Sequence, residues 1–333
     1  MESVESNCRK RIAIVGSGIS GLTCGHILSQ KHDVSVFEAN DYIGGHTSTI
    51  VIEKDGKHYA IDSGFIVFND RTYPRFEQLL ARLNVKALAT EMSFSVHNSL
   101  TQLEYNGNTL TSLFAQKRNL FRPRFWLFIR EILRFNKLCK QAFVDDRYDC
   151  QTLGDLLEKQ GFSEFFSLHY ILPMGAAIWS SSIDDMKAFS LRFFIQFFQN
   201  HGLLNITDRP QWYVLEGGSR SYIPDLIAPF KSAIHLNSPV SAIVRNDEGV
   251  QLQVNGQWLE FDEVVLACHS DQALAMLQDS TAKEQQVLSK LAYQNNEVVL
   301  HTDESLMPKR QAAWASWNYR LDGDTKKQAS VTY

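Results

Sequence analysis

RIAIVGSGISGLTCGHILSQKHDVSVFEANDYIGGHTST, residues Arg11 to Thr49, reads as strand, glycine turn, helix, strand and second glycine turn. Ile12-Ala13-Ile14-Val15 is short, apolar and mostly β-branched, the pattern of a strand buried on both faces. Gly16, Gly18 and Gly21 follow it with the spacing G-x-G-x-x-G. The first glycine permits a sharp turn, the second lets a pyrophosphate approach the backbone, and the third lets the helix close on the strand. The helix starts near Ile19 and Ser20, whose free N–H groups and positive dipole end favour phosphate. Val34-Ser35-Val36-Phe37 predicts the next strand. Glu38 stands at its end, twenty residues past Gly18, with Ala39 beside it. An acid at that distance is placed to accept ribose hydroxyls. A lone glycine triplet is weak evidence. One that follows a strand, opens a helix and carries its acid predicts a dinucleotide site.

Six residues past Glu38 comes Gly44-Gly45-His46-Thr47-Ser48-Thr49. With this second turn the chain resembles the flavin-containing amine oxidase superfamily, which includes monoamine and polyamine oxidases, protoporphyrinogen oxidases and phytoene desaturases. His46 occupies a position where many members carry Arg. The resemblance implies noncovalent FAD rather than NAD, since an ordinary NAD dehydrogenase has no need of a second diglycine turn there. It implies cofactor contacts at Gly44, Gly45, His46 and Thr47. It also places Gly64 and Phe65, in Asp62-Ser63-Gly64-Phe65, beside the flavin. A second segment, Ile234 to Cys268, is similar to the family's returning nucleotide-binding segment. There Val240 would reach the adenine side through its backbone, and Ala267 would end the strand that rejoins the sheet. The implied fold is α/β (α+β overall), a Rossmann-like FAD-binding domain of the glutathione-reductase type with an inserted mixed substrate domain.

The chain of 333 residues has room for about two domains. Its formal net charge of −4 points to no nucleic-acid partner. Cys8, Cys24, Cys139, Cys150 and Cys268 are odd in number, scattered and without a C-x-x-C pair. No metal site or redox dithiol is therefore expected. The N-terminal MESVESNCRKR is polar and lacks the apolar core of a signal peptide. A cytoplasmic location is expected, with association to a membrane as the alternative.

Boundaries are expected as follows: 1–83 and 211–275 form the FAD-binding domain, and 84–210 and 276–333 the substrate domain. In the first, residues 48–51 and 58–61 predict a hairpin around Asp55-Gly56, and Tyr73 to Leu83 an amphipathic helix. Ser221 to Phe230 predicts a helix, and Val250 to Phe261 a hairpin around Asn255-Gly256. In the second, Leu113 to Phe143 predicts one long helix and Asp271 to Leu291 another helical stretch. Asn296–His301 and Gln311–Arg320 read as strands. Between Gln116 and Gln141 stand eight Lys or Arg residues against one acid, Glu131, interleaved with aromatics. The plain reading is a domain helix with a core face and a solvated basic face. Peripheral membrane contact through 116–141 is the alternative.

Aromatic residues crowd Phe162 to Trp212, either lining a greasy pocket or filling a core. Trp179, Trp212 and Trp317 are candidate pocket residues. His201 is a candidate general base, with a satisfied structural histidine as the alternative. The resemblance implies hydride transfer from a substrate C–H bond to flavin N5. The expected small-molecule substrate is apolar, lipid- or polyene-like. An amine oxidase acting on a primary or secondary amine is one alternative, and a module binding FAD or NAD without turnover is another. The family pattern continues with a third glycine-rich segment, while this sequence stops at Ser330-Val331-Thr332-Tyr333 within an expected strand. The chain thus covers about four-fifths of the pattern. The expectation is a fragment of a longer enzyme or a degenerate member.

Overall fold

The computed structural model describes residues 9–146, 150–327 and 330–333. Cys8 and most of the polar N-terminal stretch lie outside the described residues. The chain divides into two compact units. The first takes the chain up to Val67, Arg75–Leu88 and Val214–Val298. The second takes Phe68–Pro74, Ala89–Tyr213 and Val299–Tyr333. Residues 276–298, expected in the substrate domain, fall in the first unit, and Phe68–Pro74 fall in the second.

The first unit is built on a four-stranded parallel sheet, in the order Ile234–His235, Asp33–Phe37, Arg11–Val15, Glu263–Leu266. Ile14 pairs with Val36 on one side and Val265 on the other. Ile12, Ala13, Ile14 and Val15 are all buried, as expected for a central strand covered on both faces. Burial of Ile14, Leu22 and Val36 contributes about 1.5–3 kcal/mol each. Helix Ile19–Leu28 connects the first two strands. It approaches its neighbour at Gly25, where a Cβ would lie 2.7 Å from the Phe230 ring.

A hairpin and a three-stranded sheet also belong to this unit. Thr49–Lys54 pairs with Lys57–Asp62 across Asp55-Gly56, both at positive φ. Val240–Asn246, Gly249–Val254 and Gln257–Phe261 form an antiparallel sheet, the last two joined by Asn255-Gly256 at φ 48° and 80°. Val250, Leu252 and Val254 are buried and alternate with half-buried Gln251 and Gln253. The period of two thus faces one side of the sheet to the core.

The second unit carries a four-stranded sheet in the order Ser330–Thr332, Trp317–Leu321, Phe94–Asn98, Leu103–Asn106. Its core is aromatic: Phe125, Phe128, Phe135, Phe166, Phe194 and Phe198 are all buried. The long helix expected over Leu113 to Phe143 is broken. A short helix covers Leu110–Leu113, a 3₁₀ turn Lys117–Phe121, and an α-helix Pro123–Asp145. Pro123 has no N–H to donate, so it starts a helix and cannot continue one.

Other expected elements divide for similar local reasons. Asp271 to Leu291 becomes Ser270–Met276 and Ala282–Leu288, because Thr281 and Glu284 close a capping box on the second piece. Ser221 to Phe230 becomes 3₁₀ turns around a short helix, Ile223–Ile227. Asn296–His301 is not a strand. Its apolar residues Val298 and Val299 are exposed, and a strand forms only against a partner. Of Gln311–Arg320, only the stretch from Trp317 is extended, within Trp317–Leu321.

Candidate functional site

The first unit brings both glycine turns together. Gly16 has φ +101°, and a Cβ there would lie 2.7 Å from the Ala267 carbonyl oxygen. A Cβ on Gly21 would fall 2.0 Å from the Gly16 carbonyl oxygen. These two glycines are required by the chain's own packing, and Ala267 sits against both. Gly18 differs. Its φ is −67°, open to any residue, and a Cβ there would meet nothing within 4 Å. Packing does not ask for glycine at 18, so the open space above it is the part of the loop suited to a ligand. Helix Ile19–Leu28 begins there with no side-chain cap and no acid in its first turn. Its first N–H groups have no intrahelical acceptor, and Ile19 and Ser20 are exposed.

Gly44 donates its N–H to the Ser17 carbonyl at 2.9 Å. A Cβ on Gly45 would lie 3.2 Å from the Gly18 Cα. The second turn therefore walls the open space over Gly18. Thr47 closes the turn onto the Gly44 carbonyl at 2.9 Å, and its hydroxyl meets the Tyr222 hydroxyl at 2.7 Å. The His46 carbonyl accepts from the Phe65 N–H at 2.9 Å, and a Cβ on Gly64 would lie 2.2 Å from the same oxygen. Gly64 and Phe65 are thus seated on the diglycine turn. The His46 ring stacks on His269, and His269 on Tyr293.

Glu38 is buried, and its carboxylate is fully engaged. One oxygen accepts from the Ser17 N–H at 3.0 Å and the Ser17 hydroxyl at 2.6 Å. The other accepts from the Asn40 N–H at 2.9 Å and its Nδ2 at 2.8 Å. Burial pushes its pKa up, but the hydrogen bonds from Ser17 and Asn40 outweigh this and hold it below the usual carboxylate range. Ala39 is exposed beside it. The Ser238 N–H bonds the Glu38 carbonyl at 2.8 Å, two residues before Val240 begins its strand.

A folded pKa below the unfolded one means that Glu38 stabilises the fold above the ordinary carboxylate pKa of about 4.3, and less as pH falls through its lower folded value. The stability gap between wild type and Glu38→Gln should therefore shrink between about pH 5 and pH 3. Urea midpoints at each pH measure it, and a gap constant with pH would remove the assigned role of the charge.

Asp62 ties this region to the returning segment. Its carboxylate accepts from the Thr49 hydroxyl at 2.6 Å, the Ser219 hydroxyl at 2.8 Å, and the Ser219 N–H at 2.8 and 3.0 Å. Asp62 was read only as the first residue of the Asp62-Ser63-Gly64 segment, and Ser17, Asn40, Ser219 and Tyr222 were not singled out by sequence. Ser17 and Asn40 lie inside or beside the motif and were legible as hydroxyl and amide donors near an acid. Ser219 and Tyr222 had no such signal.

In the second unit, Trp179 packs on Phe197 at 4.9 Å, Phe197 on His201 at 4.2 Å, and His201 on Trp212 at 6.3 Å. Trp179, His201 and Trp212 thus belong to one row of rings. Trp317 stands apart with Tyr333, ring centroids 5.3 Å apart. The ring contacts around His201 are aromatic, with Tyr73 edge-on, and burial pushes its pKa down. Among the described residues, no group of three or more His, Cys, Asp or Glu is placed to hold a metal ion.

A family model described as flavin containing amine oxidoreductase matches residues 19–328. Solved structures agree in fold. Putrescine oxidase bound to putrescine matches with a TM-score of 0.60 at 19% identity, over 85% of this chain and 63% of that one. Cyclohexylamine oxidase from Brevibacterium oxydans IH-35A matches with a TM-score of 0.61 at 18% identity, over 85% and 63%. A fatty acid isomerase from P. acnes matches with a TM-score of 0.57 at 18% identity, over 84% and 64%. The chain thus spans about 63% of the length of these oxidase structures, less than the four-fifths expected.

Proposed function

The chain belongs to the flavin containing amine oxidoreductase family, whose cofactor is FAD, and on that premise we propose that it oxidises an apolar small molecule. When bound, FAD supplies a hydride acceptor for a substrate C–H bond. Everything else falls to this chain's residues. Gly18 leaves open backbone where a pyrophosphate needs close approach, Gly16, Gly21, Gly44 and Gly45 let the two turns pack around it, and the N–H groups of Ile19 and Ser20 receive its charge. His46 and Thr47 shape the wall of that space. Glu38 keeps a negative charge at the ribose end. Ribose hydroxyls would replace the side-chain donors of Ser17 and Asn40, while their backbone N–H groups stay bonded. Ala39 and the Val240 backbone border the adenine side, Ala267 keeps the floor under Gly16 thin, and Gly64 and Phe65 extend toward the flavin.

The observation that carries the apolar reading is the aromatic row Trp179–Phe197–His201–Trp212. Such rings exclude water and bind carbon skeletons by area. His201, whose pKa burial pushes down, serves as one ring of that wall. A second reading, oxidation of a primary or secondary amine, draws on the same rings, since aromatic faces also attract ammonium groups. It draws too on putrescine and cyclohexylamine oxidases as structural neighbours.

The two part under anaerobic mixing. The purified flavoprotein should show a visible flavin band that bleaches with an unsaturated fatty acid or polyene. Bleaching by amines alone would replace the apolar reading with the amine one. A stable flavin band untouched by either class would favour a binding module without turnover.

A further inference from the structure

Helix Pro123–Asp145 and the turn before it present a face that the fold leaves uncovered. Inward, Phe125, Phe128, Phe135 and Cys139 are buried. Outward, at i, i+4, i+7 and i+11, come Trp126, Arg130, Leu133 and Lys137, all exposed. Leu127 and Arg134 flank this stripe. At its N-terminal end Phe121 is 86% exposed and Trp126 50%, with Arg118, Arg122 and Arg124 exposed around them.

Between Gln116 and Gln141 a single acid stands against these cations, and it does not balance them. Glu131 is buried, and its carboxylate is taken by the Ser163 N–H at 2.7 Å and the Ser163 hydroxyl at 2.6 Å. Among the described residues, no ion pair involves Lys117, Arg118, Arg122, Arg124, Arg130, Arg134 or Lys137. Arg124 and Arg134 instead lie over the Phe165 and Phe162 rings at 4.3 and 3.9 Å. A plain solvated face would have no use for an exposed Phe and Trp among seven exposed cations.

We propose that this face docks on an anionic membrane surface. Phe121, Trp126, Leu127 and Leu133 would enter the headgroup boundary, while Arg118, Arg122, Arg130 and Lys137 contact lipid phosphates. Mixed apolar and cationic side chains on one stripe are what a helix lying in that plane requires. The helix lies on the bilayer and does not cross it: among the described residues, no helix is long and apolar enough to span a membrane. Nucleic acid, the other polyanion, needs the cations but not four exposed apolar side chains, so the lipid surface fits better. The inference is independent of the substrate reading above.

The test is co-sedimentation of the purified protein with vesicles of phosphatidylcholine, with and without phosphatidylserine. Binding is expected only to the anionic vesicles, and should weaken in high salt. Two double variants separate the contributions: Phe121→Ser with Leu127→Ser, and Arg130→Glu with Lys137→Glu. Each should lower binding about tenfold or more. All four side chains are exposed, so melting temperatures should stay near wild type. No binding to anionic vesicles, or equal binding to neutral ones, overturns the proposal. So does tight binding of single-stranded poly-uridine that the charge variant abolishes and the Phe121→Ser, Leu127→Ser variant leaves intact.

Discussion

One methyl group at Gly18 is expected to weaken cofactor binding in a protein that stays folded, while the same methyl at Gly21 destabilises the unit that carries it. The difference lies in what each atom meets. At Gly18 a Cβ meets nothing within 4 Å, and the backbone is already extended at φ −67°. Gly18→Ala should cost no more than about 1 kcal/mol, the scale of an altered helix N-cap. The methyl would point into the space left for a pyrophosphate, so flavin affinity should fall on the order of tenfold to a hundredfold. At Gly21 a Cβ would stand 2.0 Å from the Gly16 carbonyl oxygen and 3.3 Å from the Ala267 side chain. The helix must shift away from the strand, at about 3 kcal/mol or more. The checks are urea unfolding and the flavin content of each purified variant. A Gly18→Ala protein that keeps full flavin would mean the cofactor does not approach this loop.

The second large effect is expected at Asp62. Its carboxylate takes the N–H and hydroxyl of Ser219 and the hydroxyl of Thr49, and Ser219 is buried. The Thr49 hydroxyl in turn accepts from the Arg220 N–H at 3.0 Å. Asp62→Ala leaves the buried Ser219 N–H without an acceptor and its hydroxyl with only the longer contact to Thr49 at 3.3 Å. The loss should be about 3–5 kcal/mol, from charge-assisted bonds plus the cost of unsatisfied donors. The damage should also reach the cofactor. Ser219 opens the turn Ser219–Tyr222, and the Tyr222 hydroxyl holds Thr47 under the diglycine turn. Flavin should therefore leave this variant at denaturant concentrations below the unfolding midpoint. Asp62→Asn, which keeps one acceptor oxygen, should recover part of the stability. If Asp62→Ala unfolds at the wild-type midpoint, these bonds contribute little.

Much of the first unit was legible because its signals are local. Glycines at positive φ, such as Gly16, Gly44 and Gly56, mark turns that other residues rarely make. Runs such as Ile12–Val15 and the alternation Val250–Val254 state which face is buried. Local signals failed where an element depends on a distant partner. Asn296–His301 has the composition of a strand, yet no strand among the described residues pairs with it. The outward face of Pro123–Asp145 kept two readings open, a solvated basic face and peripheral membrane contact. Its exposed aromatics became visible only when the inward ring of Phe125, Phe128 and Phe135 was placed.

Sequence alone determined the order of strand, turn and helix around Gly16, Gly18 and Gly21, and the acid at Glu38. Those features depend on backbone dihedrals and hydrogen bonds within a few residues, which composition and spacing encode. Only the tertiary structure decided which glycine serves the protein and which is left for a ligand. It alone filled all four acceptor positions of Glu38 with Ser17 and Asn40, and it brought Asp62 to Ser219, 157 residues away along the chain. Contacts at such separation are paid for by closing long loops and packing whole surfaces, and no local pattern records them.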